Sequence, residues 1–464
     1  MWTYFGLGLL LWLLVAGQQG SSVPRNFTPL AGTSGLASTT SQGQLDSILN
    51  RLFEARQAVQ KNPSSAEIYV SLGLALEAIP DTQAASEAFD RAIAVDARSA
   101  QAWYQKGIIA TQQSLWHVAA QDFRRALAVL PDDPLGHLEL GEMLLRMGDF
   151  GAASTELQAA LKLNRHEAGA YYGLGLIALQ QGDFDGAEAH FRAALQLKPA
   201  YVDAMGGLGE VFLHRHAWRE AAGEFQYVLS KKPDCWDAVY GLATALARMG
   251  EKKRAHEQFD AAQSLYRREL QLLRAKGENN RGVGLWHSGD IAEAKEAFRS
   301  ALAIDPTYPE AHNNLGGVLW QQNDHPGALR EFGAAVESQP DFPEALNNLG
   351  NALVGVGQES LAINYFRSAL KASPGFVSAH FNLGVALAHQ GQQAEAENEL
   401  RQALALDPEQ AAAHVELGLL LASKAGTLSE GARKELTEGL CMNPHLRVRI
   451  PEKTLLDLEK SPPD

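Results

Sequence analysis

The chain has 464 residues, a formal net charge of −14 and a pI near 5.5. That balance argues against a general nucleic-acid binder, which needs a basic face to displace counterions from phosphate, and against docking on anionic lipid. Two cysteines, Cys235 and Cys441, lie far apart in the sequence and give neither a disulfide framework nor a zinc site.

Residues 1–17 read as a signal peptide or an N-terminal anchor. The apolar run Phe5–Val15 is shorter than the ~20 helical residues a bilayer requires, and Val15-Ala16-Gly17 supplies small residues for cleavage. No Lys or Arg precedes the run, so an uncleaved anchor through residues 5–16 is the alternative. Export to the periplasm or the exterior is the expected localisation, with membrane attachment only through this segment. Residues 18–43, rich in Gly, Ser, Thr and Gln, read as a flexible linker that cannot bury enough apolar surface to order itself. Asn26-Phe27-Thr28 matches a glycosylation sequon, a short pattern that also arises by chance. Leu45, Ile48, Leu49, Leu52 and Phe53 recur at helical spacing and end at Asn62-Pro63, which predicts an N-terminal capping helix over 44–65.

A repeat then takes over. Gly73, Gly107, Gly141, Gly175 and Gly209 are 34 residues apart, and Ala243 holds the next place. The step to Gly282 is 39, after which Gly316, Gly350, Gly384 and Gly418 resume the step of 34. Twelve residues beyond each lies a small residue (Ala85, Ala119, Ala294, Ala328), and four further on a bulky apolar one (Phe89, Phe123, Phe298, Phe332). Proline often closes the unit, as at Pro131, Pro199, Pro233, Pro306, Pro340, Pro374, Pro408 and Pro444. Counting Gly73 as position 8, a small residue there lets two helices cross closely, Ala at 20 faces it, Phe at 24 fills the gap and Pro at 32 ends the second helix. Between the helices, Gly148-Asp149, Gly182-Asp183 and Gly289-Asp290 suit a left-handed turn followed by a helix cap.

This pattern closely resembles the tetratricopeptide repeat family over about residues 66–446. The resemblance implies an all-α, right-handed α-solenoid of about eleven stacked helical hairpins. Repeats one to six fall at 66–269, an insertion at 270–274, repeats seven to eleven at 275–446, and a tail at 447–464. Helix B of repeat six is expected to run on through Leu265, Leu270 and Leu273. Thr454–Leu458 is expected to form a short closing helix.

In such a stack helix A lines the concave side, with positions 2, 5, 6, 9 and 12 inward. Position 6 is Asn280, Asn314, Asn348 and Asn382 in repeats seven to ten. Asn279, Asn313 and Asn347 stand at position 5, Asn351 at position 9, and Trp286 and Trp320 at position 12. Asparagine is a poor helix former, and its amide matches the donor and acceptor of an extended backbone. The run at position 6 is similar to the repeats of O-linked N-acetylglucosamine transferases. There it holds a bound polypeptide, and the resemblance implies that role for Asn280, Asn314, Asn348 and Asn382. The residues after the repeats are too few to house that family's catalytic domain. The alternative is a ladder that merely bonds neighbouring helices, with the tryptophans packed on the next helix A.

Tyr104, Tyr172 and Tyr240 at position 5 of repeats two, four and six form a weaker second groove, or act as spacers. His137, His312, His380 and His414 at position 4 read as packing residues, and His214-Arg215-His216 as a surface turn. The Lys/Asn/Arg clamp by which some family members read a C-terminal carboxylate is not matched, since Lys is missing at position 5. No nucleophile–base pair, metal cluster or phosphate loop is present, so neither catalysis nor a cofactor is expected. The expected function is a non-catalytic scaffold or adaptor that binds a protein or peptide in the concave groove. Alternatives are an assembly subunit of a cell-envelope complex using its convex face, or a regulatory, substrate-recruiting partner of a separate glycosyltransferase.

Overall fold

A computed structural model describes residues 42–78, 82–425 and 428–459. The expected leader, and all but the end of the expected linker, lie outside the described residues. Among the described residues every regular element is a helix: Gln42–Lys61, then eleven helical hairpins, a 3-10 turn Pro444–Arg449 and a last helix Glu452–Glu459. They fall into two compact units. Residues 64–73 and 86–273 form the first, and the remaining described residues form the second.

Within each hairpin the position-8 glycine lies against the position-24 side chain. A β-carbon on Gly107 would sit 2.6 Å from the Phe123 ring, and one on Gly316 2.7 Å from Phe332. Phe123, Phe191, Phe298, Phe332 and Phe366 are fully buried there. Every complete turn from helix A to helix B in repeats two to ten needs one left-handed residue at position 15. Gly148, Gly182, Gly250, Gly289, Gly357 and Gly391 supply it, but Ser114, His216 and Asn323 adopt φ of 61–62° despite their side chains. Asp149, Asp183 and Asp324 then cap helix B by accepting from the amides of Ala152, Gly186 and Gly327 at 2.9–3.1 Å. Asp290 departs from that expectation: it makes no cap, and its carboxylate accepts instead from the Ser288 hydroxyl at 2.8 Å.

Between hairpins of the first unit, a second glycine matters. Gly173, Gly207 and Gly241 occupy position 6 of repeats four to six, and a β-carbon on Gly207 would meet the Phe191 ring of the preceding repeat at 2.5 Å. Leu157, Phe191 and Phe225 are thus each held between two glycines, one from their own hairpin and one from the next. Cation–π contacts add to the seams: Arg146 lies 4.9 Å above Trp116, and Arg248 5.8 Å above Trp218.

Repeat six has Arg267 where most repeats have the closing proline. Lys252–Ser288 runs unbroken for 37 residues, joining helix B of repeat six to helix A of repeat seven.

The position-4 histidines are more than packing. Nε2 of His137, His312, His380 and His414 faces the carbonyl oxygens of Pro131, Pro306, Pro374 and Pro408 at 2.9–3.0 Å. Their Nδ1 atoms face Glu156, Glu331, Glu399 and Glu435 at 2.6–2.7 Å. A carbonyl only accepts, so Nε2 donates there, and at His312 and His414 a second proton on Nδ1 completes the bond to the carboxylate. Each ring ties helix A to its own helix B and to the proline turn before it. Burial pulls the His312 imidazole down, but Glu331 and Pro306 outweigh it and hold it above its ordinary value. Glu435 does the same for His414 against burial.

In the second unit Arg56 of the first helix donates to the Ala405 carbonyl at 3.4 Å. The closing helix is fastened by Arg433, which donates to the carbonyls of Leu458 and Asp457 at 2.9 and 3.1 Å. Among the described residues no helix is long and apolar enough to cross a membrane.

Candidate functional site

The asparagines do form a ladder, but its rungs close on each other. Asn314 Nδ2 donates to Asn279 Oδ1 at 3.0 Å, Asn348 to Asn313 at 2.9 Å and Asn382 to Asn347 at 2.9 Å. Position 6 of one repeat reaches position 5 of the repeat before it. Asn279, Asn313, Asn314, Asn347 and Asn348 are buried, with Asn314 1% exposed. This corrects the expectation that Asn313, Asn314, Asn347 and Asn348 face a bound chain: positions 5 and 6 point into the seam between adjacent helices A. Asn280 is exposed. At the first rung Asn279 Nδ2 and Asn314 Oδ1 are buried without partners.

Trp286 is also a correction. It is buried, its indole nitrogen donates to Gln321 Oε1 at 2.9 Å, and its ring rests on Gly317. Trp320 is half-buried, set against Gly355 with its ring 4.3 Å from His325. Both pack on a following helix A.

The ladder stops at repeat ten, and a cavity opens there. Phe381 replaces the position-5 asparagine, and Glu416 stands at position 6 of repeat eleven, where it accepts from Arg449 at 3.3 Å. A cavity of about 160 Å³ is lined by Asn351, Val354, Phe366, Phe381, Asn382, Val385, Ala386, His389 and Arg449. It holds two of the residues expected from the sequence, Asn351 and Asn382. The Asn351 amide and the Asn382 oxygen have no hydrogen-bond partner among the described residues. Arg449 and His389 set positive or ionisable edges beside an apolar floor, while Glu359 faces His389 at 3.1 Å.

Two tetratricopeptide repeat profiles match this chain, one over residues 80–134, 138–202, 179–224, 207–269, 347–400 and 390–438, the other over 285–353. The chain belongs to the tetratricopeptide repeat family. No curated protein matches it in sequence. Among solved structures it is similar to YrrB, described as a tetratricopeptide repeat protein with an unusual peptide-binding site, at 23% identity over 40% of this chain and 91% of that one, with a TM-score of 0.33. It is also similar to MamA, at 21% identity over 36% and 97%, TM-score 0.32. MamA residues 41-end from Desulfovibrio magneticus RS-1 match at 22% identity over 37% and 96%, TM-score 0.33.

In this tetratricopeptide repeat protein the tyrosines of the first unit rest on the position-24 phenylalanines of their own hairpins. Ring centroids are 5.5 Å apart for Tyr104 and Phe123, 6.0 Å for Tyr172 and Phe191, and 5.4 Å for Tyr240 and Phe259. Tyr104 and Tyr172 are half-buried and Tyr240 is exposed. Around them lie groups that sequence reasoning passed over: Glu139 at position 6, Glu142 and Glu210 at position 9, Asp203 and Asp237 at position 2. The same count of inward positions that singled out the asparagines would have found them.

His414, Glu435 and Glu438 bring one ligand atom each within 4.8 Å of one another, a grouping with the donors for a metal ion that the sequence gave no reason to expect. The same His–Glu pair recurs in three repeats without the third carboxylate, so the arrangement is one of the helix clamps. Cys235 and Cys441 are free thiols.

Proposed function

We propose that this tetratricopeptide repeat scaffold binds an extended polypeptide on the helix A face of repeats nine and ten, inserting one apolar side chain beside Asn351 and Asn382. The cavity of about 160 Å³ carries the reading. A cavity of ~150 Å³ is large enough for a benzene-sized group. The floor of Val354, Phe381 and Val385 rewards its burial, and the unspent amide of Asn351 and oxygen of Asn382 can bond a peptide unit beside it. Two hydrogen bonds of ~1 kcal/mol and one apolar anchor of ~2 kcal/mol give weak binding on their own, so further contacts along the chain are required.

Peptides selected from a random displayed library against the full chain test this. Val385→Trp fills the cavity and should weaken the selected peptides by about tenfold or more. Peptides that bind the Val385→Trp chain as well as the wild type would refute the site.

A further inference from the structure

We propose that repeat eleven binds a divalent ion of the zinc type between its two helices, through His414 Nδ1 and one carboxylate oxygen each from Glu435 and Glu438. The site stands apart from the cavity of repeats nine and ten and does not depend on that reading.

Three of the four histidine clamps stop at one carboxylate. The residue three places after the clamping glutamate is Ala159, Ala334 and Gln402 in repeats three, eight and ten, but Glu438 in repeat eleven. About one helical turn separates Glu435 from Glu438, so both side chains leave the same face of helix B. Glu435 Oε2 lies 2.6 Å from His414 Nδ1, and Glu438 Oε2 lies 3.5 Å from it. The three ligand atoms lie within 4.8 Å of one another, and among the described residues no other trio of His, Cys, Asp or Glu side chains is gathered in this way.

The imidazole separates this trio from a patch of acids. His414 is buried, and its ring is fixed from behind by Nε2, which donates to the Pro408 carbonyl at 2.9 Å. A metal-bound histidine characteristically gives its other ring N–H to a carbonyl or carboxylate, which sets the tautomer and aims the remaining nitrogen at the ion. That orientation is already built here. Bonds of ~2.1 Å put neighbouring ligands of a tetrahedral zinc ion ~3.4 Å apart. Glu438 stands at that separation from His414, and Glu435 has to swing out by less than about 1 Å. The ion takes the place of the Nδ1 proton, which leaves to solvent, so a hydrogen-bonded clamp becomes a coordinated one. Two carboxylates balance the charge of the dication, and the imidazole favours zinc over magnesium or calcium. The Glu438 side chain is 41% exposed, with its other oxygen 3.9 Å from the Lys434 ammonium, so the ion can enter from that side and keep water in its fourth position. Coordination would staple helix A to helix B in the last hairpin, which no further repeat covers.

The probe is Zn2+ itself, titrated calorimetrically into the full chain after a chelator has stripped it of metal. One ion per chain should bind with micromolar affinity or better. With zinc at about 100 times its dissociation constant, amide hydrogen exchange in the helix Glu430–Met442 should slow by about tenfold or more. Mg2+ should do neither. E438Q should weaken zinc by about tenfold or more while leaving metal-free exchange in that helix unchanged. E399Q, in the repeat-ten clamp that lacks the third carboxylate, should leave zinc affinity unchanged. The proposal is overturned if the wild type takes up no zinc, if Mg2+ binds equally well, if E438Q binds zinc as tightly as the wild type, or if E399Q weakens it equally. It is also overturned if zinc binds and leaves exchange in Glu430–Met442 unaltered, since the ion would then lie elsewhere on the surface.

Discussion

At position 6 of helix A, repeats four to six carry Gly173, Gly207 and Gly241, whereas repeats eight to ten carry Asn314, Asn348 and Asn382. Both sets stand where a helix A meets the preceding repeat, and they close that seam by opposite means. The glycines remove a side chain so that the position-24 residue of the preceding repeat, Leu157, Phe191 or Phe225, can be gripped from both sides. The asparagines fill the seam and bond across it. The consequence reaches the surface. Where position 6 is glycine, the position-5 tyrosines Tyr172 and Tyr240 lie on the position-24 rings of their own hairpins and form no bond across the seam. Where it is asparagine, positions 5 and 6 are consumed, and the cavity beside Asn351 and Asn382 lies where the ladder ends.

Exchanging the two solutions is the strongest way to break this comparison. Gly207→Asn would drive a side chain into Phe191, and overpacking of this kind costs about 3 kcal/mol. Denaturant unfolding of the full chain should show that loss. An unchanged midpoint would mean that the glycine seam is not tight. The reverse exchange, Asn348→Gly, leaves the buried Asn313 side-chain oxygen without its donor and puts glycine inside a helix. Together these should cost about 2–3 kcal/mol.

The two units also separate by pH. Glu139 and Glu210 have folded values of about 7 against an ordinary 4.5. Folded chains therefore bind their protons more readily, and the cost of charging them is complete above about pH 7 and gone below about pH 4.5. E139Q/E210Q should accordingly be more stable than the wild type at about pH 8, with the advantage vanishing at about pH 4.5. His312 and His414 are raised above 6.5. Their clamps contribute fully below that value and are lost as pH rises through the folded one. The wild type should therefore exceed H312Q/H414Q most at about pH 6 and converge on it at high pH, read from melting temperatures. A constant difference across that range would contradict the doubly protonated ring.

The smallest effects lie in the turns. His216→Gly removes a left-handed strain and should stabilise the first unit by about 1 kcal/mol. Asn323→Gly in the second unit should gain only a few tenths, because asparagine tolerates that conformation. Equal gains at both sites would show that strain is not the cause.

The hairpins, their turns and the crossing of Gly107 or Gly316 over phenylalanine were legible in the sequence, because a 34-residue period repeats the same steric demand many times. The fused helix Lys252–Ser288 was half legible. The apolar run past Leu265 pointed to it, but the missing proline at Arg267 does not mark it out, since helix B of repeat three ends at Leu163 with Arg165 at the same position. The site was less legible. Counting places a residue on helix A, but a rotation of one position decides between groove and seam, and Asn313, Asn314, Asn347 and Asn348 fall on the seam side. The histidine clamps and the cavity beside Arg449 join residues from different helices, which no local pattern reports.

The most direct test is the Asn314→Ala/Asn348→Ala double variant of the full chain, measured for melting and for affinity to peptides selected on the wild type. An internal ladder predicts a loss of about 2 kcal/mol per rung, and so a melting temperature lower by several degrees, with peptide affinity changed less than about twofold. Unchanged melting together with lost affinity would contradict the account and return these asparagines to the groove.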